Sequence, residues 1–195
     1  DDPGDRKIIG NSEPRYLYTI SLNASWNGFF LSALFDGVGK QDWFPSDESL
    51  FWGMYNRPYN QVPTWHLQNY WTAERPDAYL PRYVGYYGPM NANTVNINTR
   101  YLQDVSYIRL KNFQFGYDLP KRWIGKLGLS KVSVYFSGEN LWSWSPLYRY
   151  TKDFDITVAN KKSDTDLQSS ASDNKGDGHN YPVMRSFSFG ISITY

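Results

Sequence analysis

Residues 185–195 read RSFSFGISITY, which is the clearest alternating pattern in the chain. Large apolar side chains occupy every second position, and serine, threonine or glycine occupies the positions between them. Because successive side chains of a β-strand point to opposite faces of a sheet, this period of two predicts a strand with one apolar and one small, polar face. We predict the strand over about 184–195. Its apolar positions are Phe187, Phe189, Ile191, Ile193 and Tyr195.

The same alternation recurs in four earlier segments, at about 16–26, 29–38, 105–119 and 131–138. Asn27 and Gly28 separate the first two segments, and this dipeptide favours a two-residue type I′ turn because both residues tolerate positive φ. In the third segment the apolar phase changes near Lys111 and Asn112, which predicts a β-bulge that keeps one face apolar. The sequence therefore predicts an all-β chain of five antiparallel strands.

Two long segments lack alternation, at about 40–104 and 139–181. Loops of such length are uncommon in compact domains unless they are functional. The connections alternate between short and long, as in outer-membrane β-barrels, whose short turns lie in the periplasm and whose long loops lie outside. If the Asn27–Gly28 turn is periplasmic, strand parity places the C-terminus in the periplasm as well.

The composition indicates that parts of the chain lie at a boundary between polar and apolar surroundings. Aromatic residues form 18% of the chain and charged residues 20%. Tyr and Trp favour membrane interfaces, protein interfaces and sugar-binding clefts. Two aromatic girdles are expected, a periplasmic one with Trp26, Tyr117 and Tyr195 and an external one with Tyr16, Trp43 and Phe187. The net charge of +1, without a conspicuous basic block, argues against nucleic acid as a partner.

Six stretches of the chain resemble the C-terminal end of SusC/RagA-like TonB-dependent transporters of Bacteroidota. They are DRKIIGNSEPRY (5–16), WNGFFLSALFDGVGKQDW (26–43), HLQNYWTAERPDAYLPR (66–82), YIRLKNFQFGYDLPK (107–121), SVYFSGENLW (133–142) and RSFSFGISITY (185–195). These stretches cover more than half of the chain, in the family order. Ala73 and Arg75 depart from the family pattern, and the tract 156–180 matches nothing in it.

The resemblance implies the last five strands of an outer-membrane β-barrel of about 22 strands, with the plug domain absent from this chain. It implies TonB-driven import of glycan or peptide oligomers, with TonB acting through the N-terminal region outside this chain. A SusD-like surface lipoprotein would close the external mouth. The strand at 184–195 also resembles the signal that the outer-membrane assembly machinery recognises, carried by Phe187, Phe189, Ile191, Ile193 and Tyr195.

Two groups of residues are candidates for contact with substrate or with the lipoprotein lid. Aromatic faces bind sugar rings and protein surfaces, which singles out the loop residues Trp65, Trp71, Trp142 and Trp144. The polar strand faces would line the lumen, where substrate could contact Thr19, Asn23, Arg109, Lys111 and Ser133. For this second group, hydration of the barrel wall is the alternative interpretation.

No catalytic or metal site is predicted, and no cofactor. The two histidines, His66 and His179, lie in predicted loops without neighbouring ligands and are expected to be solvated. Cysteine is absent from the chain. Two other functions are considered, a soluble aromatic-rich carbohydrate-binding β-domain and a secreted glycan-degrading enzyme. The enzyme is disfavoured because no acid/base pair is evident, and we predict that the chain is not an enzyme.

Overall fold

A computed structural model describes residues 7–45, 51–52, 62–82, 97–152, 155–158 and 183–195. The chain divides into two compact units. The first, here called the loop unit, comprises Asp1–Pro14, Lys40–Val105 and Pro146–Pro182. The second, here called the sheet unit, comprises Arg15–Gly39, Ser106–Ser145 and Val183–Tyr195.

The described ranges contain short helices as well as strands. The strands are β1 (Arg15–Trp26), β2 (Phe29–Lys40), β3 (Asp42–Trp43), β4 (Gln103–Asp104), β5 (Tyr107–Asp118), β6 (Lys131–Trp144) and β7 (Ser186–Thr194). One turn of α-helix, α1, spans Lys121–Ile124. Short 3₁₀ helices span Thr64–Gln68, Gly125–Leu127, Pro146–Arg149 and Ile156–Val158. No helix in these ranges is long and apolar enough to cross a membrane.

The five long strands form one sheet in the order β1, β2, β5, β6 and β7. Their pairing is antiparallel, as predicted, so the sheet is a meander with β1 and β7 at its open edges. The short strands β3 and β4 form a separate two-stranded ladder. Apart from β6, the long strands begin and end within about two residues of their predicted limits, which is the usual uncertainty of strand ends.

A turn and a bulge set the register of the first strands. Asn27 and Gly28 have φ angles of 48° and 88°, both positive, which confirms the predicted type I′ turn. β5 carries one extra residue, Lys111, relative to β2. This bulge was predicted from the change of phase. It allows Leu110 and Phe113 to lie on the same face of the sheet although they are three residues apart.

β6 extends to Trp144, beyond its predicted end at residue 138. Near Asn140, β6 carries one residue more than β5, and Asn140 has a φ of 53° in the left-handed region. Asn tolerates this conformation better than most residues do. This second bulge interrupts the alternation of the sequence, which is why the predicted strand ended too early. The predicted loop at 139–181 therefore begins after β6, near residue 145.

The register gives the sheet unit one apolar face. Phe115 pairs with Leu31 on one side and with Phe136 on the other, and Phe136 pairs with Phe189. The rings of Phe136 and Phe189 are 5.2 Å apart. Phe189 is nevertheless 85% exposed. A continuous apolar face with this exposure requires an apolar environment or a partner, because water-soluble monomers rarely expose one.

The opposite face of the sheet unit carries mostly small and polar residues, and aromatic rings cover two of its glycines. The ring of Phe30 lies over Gly116, where an added Cβ would approach it to 2.3 Å. Tyr135 covers Gly190 in the same way, at 2.4 Å. Glycine at these two positions lets the aromatic rings lie close to the backbone of the neighbouring strand.

The loop unit has a core of its own, so the described parts of the predicted loops are folded. Phe51 and Leu80 are fully buried, and Trp43 is 2% exposed. Tyr79 and Tyr150, from the two predicted loops, stack with their ring centroids 4.7 Å apart. The prediction that Trp43 belongs to an external aromatic girdle is therefore wrong, because its ring packs edge-on against Phe51 inside this core.

Candidate functional site

The polar face of the sheet unit carries a pair of opposite charges. Asp36 of β2 and Arg109 of β5 are direct partners in the register. The guanidinium donates from Nε to Oδ1 at 3.1 Å and from Nη2 to Oδ2 at 2.9 Å. Both side chains are mostly buried, with 21% and 14% exposure. This two-bond geometry holds Arg109 in a fixed orientation on the sheet.

Lys111 extends this pair into a cluster of three charges. Its Nζ lies 3.8 Å from Oδ2 of Asp36, and its side chain is half exposed. Thr19, Tyr107 and Lys111 line a depression of about 270 Å³ together with Asp36. With two cations and one carboxylate, the cluster has a net positive charge. Chemically, it can donate hydrogen bonds to carboxylate or carbonyl oxygens of a passing molecule.

The structure brings together some of the predicted lumen residues and separates others. Arg109 and Lys111 both contact Asp36, and Thr19 lines the same depression as Lys111. Asn23 donates to the hydroxyl of Ser21, and Ser133 donates to Asp118 Oδ1 at 2.6 Å, so these residues make local contacts elsewhere on the sheet. Sequence reasoning missed Asp36 as a site residue. The sequence offered one indication, a carboxylate on the face of the second strand that carries both polar and apolar residues.

Trp142 and Trp144 were predicted as loop residues, and this placement is wrong. Both belong to β6, where Trp142 pairs with Leu110 and Trp144 with Ile108 on the apolar face. Their side chains are about half exposed, at 48% and 53%. They lie at the end of the sheet away from the Asn27–Gly28 turn. This position is typical of aromatic side chains at a membrane interface and does not favour contact with substrate in a lumen.

The other two predicted contact residues, Trp65 and Trp71, belong to the loop unit. Trp65 packs against Phe51, with ring centroids 5.0 Å apart, and is part of the core. Trp71 is 37% exposed, and its backbone N–H donates to the carbonyl of Leu80 at 3.0 Å. Of this pair, Trp71 offers the more accessible ring for a partner, while Trp65 has a structural role.

His66 is fully buried, which corrects the prediction of a solvated loop residue. Its Nε2 lies 2.8 Å from the carbonyl oxygen of Phe51. Because a carbonyl oxygen can only accept a hydrogen bond, Nε2 carries the proton and donates it. His179 lies outside the described residues. Within the described ranges, no group of three or more His, Cys, Asp or Glu side chains could hold a metal ion.

Burial also changes the titration of two tyrosines in the loop unit. Burial raises the pKa of Tyr79 to about 12, although a hydrogen bond from the amide of Gln103 to its hydroxyl, at 2.8 Å, acts in the opposite direction. Burial likewise raises the pKa of Tyr101. Arg100 lies next to these tyrosines and donates hydrogen bonds to the carbonyl oxygens of Ala78 and Tyr79. These hydroxyls therefore remain protonated over a wide pH range.

The C-terminal strand has the predicted two faces. Phe187, Phe189, Ile191 and Ile193 pair with Gly138, Phe136, Val134 and Val132 of β6, respectively, on the apolar face. Tyr195 follows the last residue of β7 and is 95% exposed. The role of these five residues as an assembly signal stays a prediction.

Comparison with known proteins finds relatives of this chain among TonB-dependent receptors. No protein-family model matches the chain. Two curated relatives are the TonB-dependent receptors P3 and P26 of Formosa agariphila, which are 28% and 24% identical to the chain. Each alignment covers 98% of this chain, but the chain spans only 17% and 18% of the length of these relatives.

Solved structures of a peptide importer are similar in fold. The RagAB peptide importer in its open-open state matches 97% of this chain with a TM-score of 0.58 and 21% identity. Its closed-closed state matches 71% with a TM-score of 0.52 and 24% identity. The chain covers 18% and 14% of those chains, respectively. At this identity the likeness concerns the fold.

The homology to receptors agrees with the prediction that the chain is not an enzyme. The five-stranded antiparallel sheet matches part of the RagA structure. Over nearly its whole length, the chain is homologous to a segment of the TonB-dependent receptors.

Proposed function

We propose that this chain forms part of the wall and external loops of a TonB-dependent outer-membrane transporter that imports oligomeric nutrients. The observation that carries the proposal is the two-faced sheet. Its apolar face is exposed to a degree that suits lipid, with Phe189 at 85%, and its opposite face carries the Asp36–Arg109 pair. The homology to TonB-dependent receptors over 98% of the chain supports it.

The sheet would be completed by other strands of a longer protein. In the part of the chain that the structure describes, no strand pairs with the outer edge of β1 or of β7. Lipid offers no hydrogen bonds to the backbone groups of such edges. Closure into a barrel satisfies such edges. We infer a barrel of about 22 strands, to which this chain contributes five.

The two short turns, at Asn27–Gly28 and between β5 and β6, would lie in the periplasm together with the C-terminus. The long connections, between β2 and β5 and between β6 and β7, would lie outside the cell. This assignment follows the usual asymmetry of outer-membrane barrels. TonB would act through the region that precedes this chain.

The substrate proposed is an oligopeptide or an oligosaccharide. The likeness to the RagAB peptide importer favours a peptide. Arg109 and Lys111 would contact the oxygens of substrate during passage, since both present cationic N–H groups on the polar face. A SusD-like surface lipoprotein is the proposed lid, and the exposed ring of Trp71 is a candidate contact for it.

Membrane location and transport can be tested together with the full-length protein. We expect it in the outer-membrane fraction, and we expect a gene deletion to abolish growth on an oligopeptide or oligosaccharide mixture. A TonB deletion should have the same effect. A full-length protein that fractionates with soluble proteins and binds sugars would instead support the carbohydrate-binding alternative.

The lid contact needs its own variant. Trp71→Ala should weaken capture of the lipoprotein from solubilised membranes. Trp26→Ala is a matched control, because Trp26 is also an exposed tryptophan, at 78%, but lies beside the proposed periplasmic turn. Equal capture by both variants would remove Trp71 from the proposed lid interface.

A further inference from the structure

The connection between β5 and β6 has an unusual local charge. Residues 121–131 read KRWIGKLGLSK and contain four basic and no acidic residues. The last of them, Lys131, forms an ion pair with Asp118 at 3.0 Å, which neutralises both groups. Lys121, Arg122 and Lys126 are exposed and form no ion pair with any residue in the described ranges. Three positive charges therefore remain uncompensated in this turn, which is here called the basic turn.

The basic turn has a defined conformation. Ile124 is 4% exposed and anchors it from the inside. The backbone N–H of Trp123 donates to the carbonyl of Pro120 at 2.9 Å, and Gly128 ends the helical segment in the left-handed conformation with a φ of 69°. Because these contacts fix the backbone, they also fix the positions from which the side chains of Lys121, Arg122 and Lys126 extend.

The basic turn also presents an aromatic ring. Trp123 is 58% exposed, and the guanidinium of Arg122 lies 5.7 Å from the centroid of its ring. Exposed tryptophan next to basic side chains is typical of the headgroup level of a bilayer, where the indole is partly dry and the cations contact phosphates.

The basic turn lies at one end of the apolar face of the sheet. The N–H of Ser130 donates to the carbonyl of Thr194 at 2.9 Å, and the N–H of Asp118 donates to that of Gly28 at 2.7 Å. The same end therefore carries the exposed side chains of Trp26 and Tyr195, at 78% and 95%. Exposed aromatic side chains and the cations of the basic turn therefore lie together at this end of the apolar face.

We propose that the basic turn binds the phosphate of an anionic phospholipid in the periplasmic leaflet of the outer membrane. This rests on the proposed membrane location and orientation, but not on transport. Lys121, Arg122 and Lys126 supply the positive charge, and the guanidinium can donate two parallel hydrogen bonds to one phosphate. Continuity with the apolar face favours a lipid over a soluble anion, because the acyl chains of the same molecule would cover that face.

Sequence reasoning found no basic block here, because the cations are spread among apolar and glycine residues. The structure exposes them on one short turn and shows that Asp118, at the end of the preceding strand, is already paired with Lys131. The net charge of the whole chain, +1, conceals this local excess.

The test uses the purified full-length protein in nanodiscs that contain a trace of fluorescent phosphatidylglycerol or fluorescent phosphatidylcholine. Energy transfer from tryptophan to the lipid probe reports lipid next to the protein. We expect a preference for phosphatidylglycerol on the order of tenfold, given three cations at the headgroup level. The triple variant Lys121→Gln, Arg122→Gln, Lys126→Gln should lose this preference.

A matched control removes three exposed cations elsewhere, with the substitutions Lys7→Gln, Arg82→Gln and Lys152→Gln. It should keep the lipid preference, and both triple variants should unfold at the wild-type temperature. Equal preferences in the two triples, or no preference in the wild type, would overturn the proposal.

Inorganic phosphate distinguishes a lipid site from a site for free anions. At millimolar concentration it should not displace the lipid probe, and displacement would assign the basic turn to a soluble anion instead. A protein that inserts in the membrane without any headgroup preference would refute the lipid site and leave the transporter function intact. A protein absent from the membrane fraction would refute both.

Discussion

Asp36→Ala removes the carboxylate that holds Arg109 on the polar face of the sheet. The guanidinium would keep its largely buried position, at 14% exposure, but would lose two charge-assisted hydrogen bonds. Truncating one partner of a fully buried ion pair costs about 3–5 kcal/mol. An exposed pair contributes about 0–1 kcal/mol. For this intermediate burial we expect a loss of about 2 kcal/mol in the free energy of unfolding.

A double-mutant cycle measures the coupling itself. The full-length protein is compared with Asp36→Ala, Arg109→Ala and the double variant by reversible urea unfolding in detergent or lipid. We expect a coupling energy of about 1–2 kcal/mol between the two residues. Lys111→Ala is the comparison, because its ammonium is half exposed and lies 3.8 Å from the carboxylate. It should cost less than about 0.5 kcal/mol and depend on salt.

Two results would refute this reasoning. One is a coupling below about 0.5 kcal/mol, which is the typical error of additivity for independent sites. The other is equal destabilisation by Asp36→Ala and Lys111→Ala. Either result would mean that the two short hydrogen bonds of Arg109 do not fix its position on the wall.

Gly37→Ala should destabilise the protein by about 1–3 kcal/mol, because the new Cβ would lie 2.3 Å from a backbone carbonyl oxygen of the next strand. Gly125→Ala should be near neutral, because the new Cβ would meet no atom of another part of the structure within 4 Å, and thermal unfolding compares the two variants. Tyr79 has a pKa of about 12 in the folded state against an ordinary value of 10.0, so between pH 10 and 12 the unfolded chain releases a proton that the folded chain retains. The stability of the loop unit should therefore fall as the pH rises through this window, and it should fall less steeply in Tyr79→Phe. The urea midpoint measured against pH checks this. Equal slopes in the wild type and in Tyr79→Phe would show that the pKa of Tyr79 is not raised. Phe189→Arg on the apolar face should cost about 2–4 kcal/mol in bilayer stability if it lies near the midplane, whereas Ser188→Arg on the opposite face should cost much less; similar losses of membrane-inserted protein for both variants would contradict the assignment of faces.

The sheet was predictable from the sequence because its signals are local. Side-chain alternation gave five strands, and the Asn27–Gly28 dipeptide gave the turn between the first two. The bulge at Lys111 was visible as a change of phase between apolar positions. Each of these features depends on residues within a few positions of one another, so no knowledge of the tertiary contacts was needed.

Other features were not predictable because they depend on contacts between distant residues. Asp36 and Arg109 are 73 positions apart, and only the register of β2 against β5 makes them partners. The bulge at Asn140 interrupts the alternation of apolar residues, so the second half of β6 was predicted as a loop. His66 was expected to be solvated and Trp65 to contact a partner, because the core of the loop unit is built from irregular segments without any periodic pattern.

The central claim, that one face of this sheet contacts lipid, can be tested directly along β7. This chain contains no cysteine, so single cysteines can be introduced from Ser186 to Thr194 in a cysteine-free full-length protein and spin-labelled in a bilayer. Oxygen, which partitions into lipid, and a water-soluble nickel reagent then report the surroundings of each label. We predict accessibilities with a period of two, where oxygen dominates at Phe187, Phe189, Ile191 and Ile193 and nickel dominates or both are low at the positions between. Equal nickel accessibility at all nine positions would contradict the account.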